Sequence, residues 1–197
     1  MLTVDYFTNR IFNSRTYILS KEGSEEVWLV DCGDTDRVLE RIGDKRVEGV
    51  LLTHTHSDHI YGLESLIDNY PEVKVYTNEF GAEALRSPRM NLSSYHSEYP
   101  EISIDSSENV RILSEGAQLD VLGDPVQIYE TPGHDPSCLT YICENNAFTG
   151  DAYIPGINVF TGFPYSKKPQ AAASVERIIQ LVQGCMVLPG HTIIENK

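Results

Sequence analysis

Thr53-His54-Thr55-His56-Ser57-Asp58-His59 decides how the rest of the 197-residue chain is read. Three of the chain's six histidines fall in this stretch, together with one carboxylate. The apolar run Val50-Leu51-Leu52 precedes it and Ile60-Tyr61-Gly62-Leu63 follows. This pattern predicts a buried strand ending at His54, a short loop, and a helix beginning near Asp58 or His59. Imidazole and carboxylate are the donors that a borderline divalent metal prefers. His54 and His56, two apart on an extended segment, point the same way. Asp58 and His59, on the turn into the helix, point to a second spot nearby, so the spacing indicates two adjacent metal positions. Taken singly, a His-x-His is commonplace and an Asp before a helix is an N-cap. Caps and turns do not account for all four in this order.

Three further clusters share the design. Ile128-Tyr129-Glu130-Thr131 leads into Pro132-Gly133-His134, Ala147-Phe148-Thr149 into Gly150-Asp151, and Val187-Leu188 into Pro189-Gly190-His191. In each, an apolar or β-prone run ends in a turn residue beside a His or Asp. Glycine there permits close backbone approach, and strand ends hold ligands rigidly at one edge of a sheet. Each cluster alone reads as a turn; together they place five of the six histidines in one repeated context.

The remaining segments supply the frame. Leu2 to Phe7, Arg15 to Leu19, Val27 to Val30, Val47 to Thr53 and Val73 to Tyr76 read as strands. The continuous run at Val27 implies a strand covered on both faces. Helices are expected over Asp36 to Ile42, over Ile60 to Asn69 with Leu63, Leu66 and Ile67 inward, and over Glu79 to Leu85. Ser87 to Asn109 reads as a long loop with one helical turn, carrying Met90, Leu92, Tyr95 and Tyr99. Its His96, outside every cluster, is expected to be solvated. Strands follow over Val110 to Leu113, Gln118 to Leu122, Val126 to Glu130, Leu139 to Cys143, Ala147 to Thr149 and Met186 to Leu188. A helix over Lys168 to Gln183 presents Val175, Ile178, Ile179 and Val182. The two halves share one plan, which implies two β-rich layers face to face with helices outside.

Bulk properties narrow the function. The hydrophobic fraction of 41% and charged fraction of 22% are those of a globular protein, and residues 1–197 are expected to form a single domain. A net charge of -14 argues against a nucleic-acid or anionic-membrane surface. No secretory leader or membrane span is evident. Cys32, Cys138, Cys143 and Cys185 form no Cys-x-x-Cys pair or disulfide framework, so a cytoplasmic location with buried thiols is expected. Cys138 is a candidate to line the site.

The set His54, His56, Asp58, His59, His134, Asp151 and His191 resembles the ligand set of the metallo-β-lactamase fold superfamily of hydrolases. Asp31, in Val30-Asp31-Cys32-Gly33, resembles its early supporting aspartate. The resemblance implies an α/β chain folded as a four-layer αββα sandwich, the metallo-β-lactamase fold. His54, His56 and His134 would hold one metal, Asp58, His59 and His191 a second, with Asp151 bridging. Thr131-Pro132-Gly133-His134 and Thr149-Gly150-Asp151 are similar to the glyoxalase II-like subgroup. Two departures stand out. Asp135-Pro136-Ser137-Cys138 replaces a Thr-Pro-Gly-like run, and only six residues follow His191. The helical domain by which glyoxalase II enzymes bind glutathione is therefore expected to be absent.

The implied activity is that of a dinuclear hydrolase, with zinc the first choice of metal and iron or manganese the others. Two cations about 3.5–4 Å apart share one water and lower its pKa towards ~7. The metal-bridging hydroxide would attack a small ester, thioester or lactone, with Asp58 as the catalytic residue that orients it. Alternatives are a phosphodiesterase or nuclease of the same fold and a persulfide dioxygenase with a single iron, which is similar around Gly133-His134 and Thr149-Gly150-Asp151-Ala152. A metal-dependent sensor is a fourth reading. A Gly-x-Ser-x-Gly nucleophile elbow is absent from the sequence. The substrate is expected to be a small molecule, and Tyr153, Asn158, Phe160, Phe163, Tyr165, Lys167 and Lys168 are candidates to border its pocket.

Overall fold

The computed structural model describes residues 1–97, 100–105 and 108–191. Tyr99 lies outside the described residues. Leu2–Thr8 (β1), Arg15–Lys21 (β2), Glu26–Val30 (β3), Arg46–Leu51 (β4), Lys74–Thr77 (β5) and Val110–Ile112 (β6) form a sheet in that order. The first three pair antiparallel, and β3 to β6 run parallel. Leu119–Val121 (β7), Asp124–Glu130 (β8), Leu139–Cys143 (β9), Asn146–Gly150 (β10) and Met186–Pro189 (β11) form a second sheet, ordered β11-β10-β9-β8-β7. The helices are Thr35–Ile42 (α1), Ser57–Ile60 (α2), Leu63–Asn69 (α3), Glu79–Ala84 (α4) and Lys168–Leu181 (α5).

Strand β3 shows why the layers stack as they do. Its side chains alternate faces. Val27 and Leu29 join Val38, Ile42, Leu63 and Leu66 of the helices over the first sheet. Trp28 and Val30 join Ile128, Leu139, Tyr141 and Phe148 of the second sheet. Both faces are covered, so the run is apolar throughout. Strands β9 and β10 do the same on the other side, where Ile142 and Ala147 pack under Ile178 and Val182. Four layers result, helices–sheet–sheet–helix, as the resemblance implied. Buried tyrosines tie the two sheets near the strand ends: Tyr17 Oη donates to the Pro189 carbonyl (2.7 Å) and Tyr141 Oη to that of Leu52 (2.8 Å).

Two helices depart from expectation. The helix predicted over Ile60 to Asn69 is split into α2 and α3. The His59 carbonyl accepts from Cys32 N–H (2.8 Å), and Gly62 N–H donates to the Cys32 carbonyl (3.1 Å). The β3–α1 loop thus takes both groups from any continuous helical ladder. Gly62 is required there, because a Cβ would lie 1.8 Å from the Gly33 carbonyl oxygen. In α5 the buried side chains are Ala171, Ser174 and Ile178, continued by Val182 just beyond it, while Ile179 is exposed. The small residues allow close approach to the second sheet, and Ser174 Oγ donates to the Pro132 carbonyl (2.6 Å). Among its described residues, the loop over Ser87 to Asn109 carries a helical turn, a 3₁₀ helix at Ser93–Tyr95.

Candidate metal centre

The seven residues read from the sequence meet at one edge of the sandwich. His54 and His56 follow β4, Asp58 and His59 lie in α2, His134 follows β8, Asp151 follows β10 and His191 follows β11. Three overlapping groups have ligand atoms within 4.8 Å of one another: His54, His56 and His134; His54, His59 and Asp151; and Asp58, His59 and His191. The first and third are the groups the resemblance implied. The second, centred on Asp151, overlaps both. Asp151 Oδ2 is 3.6 Å from His134 Nε2 and 3.2 Å from His191 Nε2, and its Oδ1 is 3.6 Å from His59 Nε2.

Four of the five histidines are set by a partner on Nδ1. His59 Nδ1–H donates to Asp31 Oδ2 (2.8 Å), which also accepts the Thr53 hydroxyl (2.7 Å). Thr53 Oγ1 in turn lies 3.2 Å from His54 Nδ1 and accepts its proton. His134 Nδ1–H donates to the Phe160 carbonyl (2.8 Å) and His191 Nδ1–H to that of Phe12 (3.0 Å). These bonds fix the tautomers and leave Nε2 facing the centre. His56 is reversed. Its Nδ1 lies 3.0 Å from His134 Nε2, and its Nε2 faces Asp135 Oδ2 at 3.4 Å, too long for a strong hydrogen bond. Asp31 itself sits at φ 58, a strained backbone that Thr53 N–H (2.7 Å to Oδ1) and the two side-chain donors hold in place.

The donors fit a metal. His54 Nε2 and Asp151 Oδ1 are buried and have no hydrogen-bond partner among the described residues, an arrangement that costs free energy unless a cation meets them. Burial and the neighbouring imidazoles hold His54 and His134 below the ordinary histidine pKa, so both are neutral donors. Burial works against protonation of His59 and His191, but the carboxylates outweigh it. Asp58, Asp31 and Asp151 push His59 up to about 9, and Asp151 and Asp58 push His191 up to about 11. The same pairings hold Asp58 and Asp151 below the usual carboxylate range in spite of their burial. A cation entering between them would take the place of these protons.

Several neighbours differ from expectation. His96 is not simply solvated: its ring packs on Phe12, centroids 4.9 Å apart, and lines a pocket with His56, Asp58, Asp151 and His191. Cys138 does not line the site. It is buried beneath α5 with Ile142 and Ile178, and burial pushes its thiol well above its ordinary pKa. Of the segment after Asp151, Phe163 borders the pocket, its ring 4.8 Å from that of His56. Phe160 contributes its carbonyl, and its ring packs edge-on against that of Phe163, centroids 4.8 Å apart, while the residue also lines a separate hollow with Asn158 and Lys168. Tyr165 packs on Phe80, Tyr153 packs under α5, and Lys167 donates its backbone N–H to the Gly133 carbonyl (2.8 Å) at the helix start. Asp135, Phe12 and Leu92 were not read as site residues. Asp135 alone had a signal, the departure directly after His134.

No helix among the described residues is long and apolar enough to cross a membrane. The solved BLEG-1 B3 metallo-beta-lactamase superposes with a TM-score of 0.86 at 21% identity, covering 97% of this chain and 92% of that one. The hydroxyacylglutathione hydrolase of Hydrogenovibrio crunogenus is 26% identical over 182 residues, 89% of this chain and 58% of that protein. A probable metallo-hydrolase of Streptococcus pyogenes is 29% identical over 191 residues, 93% of this chain and 81% of that protein. The chain thus spans little more than half the length of its hydroxyacylglutathione hydrolase relative. The family model described as the metallo-beta-lactamase superfamily matches residues 11–191. With that match over nearly the whole chain, and the shared sandwich beneath it, the protein belongs to the metallo-beta-lactamase superfamily.

Proposed function

We propose that the chain is a hydrolase using two divalent metal ions and acting on a small ester, thioester or lactone. His54, His56 and His134 would hold one ion and Asp58, His59 and His191 the other, with Asp151 next to members of both groups. The observation that carries this reading is the convergence of three overlapping donor groups around buried, unpartnered His54 Nε2 and Asp151 Oδ1. Zinc suits this mixed imidazole and carboxylate set, and iron and manganese remain compatible with it. A divalent cation supplies a Lewis acid for the substrate oxygen and lowers the pKa of water to near ~7.

The chain's own groups do the rest. Asp58, whose Oδ2 is 3.3 Å from His191 Nε2, is among the residues lining the pocket. From there it orients the attacking water and holds its proton. The outer hydrogen bonds on His54, His59, His134 and His191 keep the donors from rotating, which is where such a site gains its preorganisation. Metal content and Asp58→Ala test the reading together. Protein purified without chelator should contain about two equivalents of transition metal, from the number of donor sets. Asp58→Ala, refilled to the same content with excess zinc, should lose about 100-fold or more in turnover, since misalignment alone costs that much. Absence of metal after reconstitution refutes the reading. One tightly held iron favours the dioxygenase, and near wild-type turnover in metal-filled Asp58→Ala removes the role of Asp58.

A further inference from the structure

The pocket above the centre has a volume of about 280 Å³, and its upper wall is apolar: Phe12, Leu92 and Phe163, with the His96 ring against Phe12. Two of these side chains stand on strained backbone. Phe12 has φ 52 and Leu92 φ 68, in a region that bulky residues avoid. Strain of this kind persists where the surroundings over-determine it, and it marks functional positions. Both positions are tied to the centre. The Phe12 carbonyl accepts from His191 Nδ1–H (3.0 Å). Leu92 follows Asn91, whose carbonyl accepts from Ser57 N–H (2.8 Å) and whose buried side chain donates to the Ala84 (3.1 Å) and Ile102 (2.8 Å) carbonyls. The hairpin after β1 and the loop after α4 are thus anchored where Phe12 and Leu92 line the same pocket as Asp58.

We propose that this wall receives an uncharged apolar group of the substrate, aryl or branched alkyl and about the size of one ring, beside the scissile bond. Among the described residues that line the pocket there is no Lys or Arg. A substrate carboxylate would lose its water against Phe12, Leu92 and Phe163, none of which can pair with it. An aryl group has its water replaced by three apolar side chains and by ring contacts of the edge-to-face kind already made by Phe163. The inference rests on the proposed hydrolysis for the position of the scissile bond, but the pocket's selectivity can be read without turnover.

The test uses cobalt-loaded protein and two thiols that anchor on the metal, benzyl mercaptan and its ring-carboxylated analogue. Binding is followed by the thiolate–cobalt absorption band. Wild type should bind the uncharged thiol at least about tenfold more tightly, the discrimination typical of an apolar pocket. Phe12→Ala and, separately, Phe163→Ala should remove most of that preference with cobalt content unchanged. Equal binding of the two thiols by wild type, or a preference untouched in both variants, overturns the proposal. A strong preference combined with no hydrolysis of any ester or thioester supports the pocket and refutes the hydrolase reading instead.

Discussion

Asp135 is the residue whose environment says most about how the centre is tuned. It is buried at 2% exposure, accepts Ser137 N–H (2.8 Å) and the Ser137 hydroxyl, and faces His56 Nε2. Its burial would raise its pKa, but His56 and the Ser137 donors hold it below the usual carboxylate range. An anion there favours a proton on His56 Nε2 and leaves Nδ1 as the donor beside His134 Nε2. In Asp135→Asn the amide can keep the Ser137 contact while turning an N–H towards His56, which favours the wrong tautomer. Zinc affinity measured by chelator competition should fall about 10- to 100-fold, the usual cost of losing such an outer partner. An unchanged affinity would leave Asp135 with a role in the turn alone. The inner donors were legible because His and Asp declare their chemistry wherever they stand. Their outer partners were not, apart from Asp31, because the Phe12 and Phe160 carbonyls belong to backbone that any sequence carries. His96 was misjudged for the same reason. The hairpin that brings Phe12 against it leaves it half-buried at the pocket.

Among the elements, the turn at Pro189-Gly190-His191 depends on close approach. A Cβ on Gly190 would lie 2.2 Å from Asp151 Oδ1 and 2.9 Å from His59 Cε1. Gly190 N–H also donates to the Gly150 carbonyl (2.9 Å), and its own carbonyl accepts Arg15 N–H (2.7 Å). The turn cannot back away without breaking both bonds. Gly190→Ala should therefore push the Asp151 carboxylate out of place, cost about 1–3 kcal/mol of stability from overpacking, and lower turnover by about 100-fold. Urea denaturation and steady-state kinetics on one preparation check both effects. Unchanged values would show that the turn has slack which these contacts do not reveal. Glycine beside His or Asp at strand ends was the sequence signal here, and the strands themselves were legible from their apolar runs. The break between α2 and α3 was not, since it depends on Cys32, a residue of a distant loop. The apolar stripe of α5 was read with Ile179 because periodicity favours large residues. The contact face uses Ala171 and Ser174 instead, because the helix packs close.

At the scale of the whole molecule, the first half of the chain builds one sheet and the second half the other, except that β6 crosses to pair with β5. Two layers could be read from the repeated plan, but this pairing could not, because three residues carry little pattern. The centre draws its residues from strand ends of both sheets, so its charge balance bears on the stability of the entire fold. Without metal, His59 is raised to about 9 and His191 to about 11. A group whose folded pKa is raised stabilises the fold fully below its unfolded pKa, ~6.5 for histidine, and loses that contribution as pH rises through the folded value. Asp58 and Asp151, held low, contribute above the unfolded carboxylate pKa of ~3.9 and lose it as pH falls towards their folded values. Below about pH 6.5 chelated protein should lose stability, because His54 and His134, held low, resist the protons that the unfolded chain takes up, so its maximum lies at about pH 6.5. From there it should weaken steadily towards about pH 9, as the protons that neutralise Asp58, Asp31 and Asp151 depart. Zinc-loaded protein should behave in the opposite way over the same interval, because the metal binds deprotonated donors and releases protons as it enters. Urea midpoints measured with and without chelator at several pH values separate the two curves. A chelated protein that gains stability between pH 6.5 and 9 would mean that the carboxylates do not hold these histidines protonated, and the charge balance assigned to the centre would be wrong.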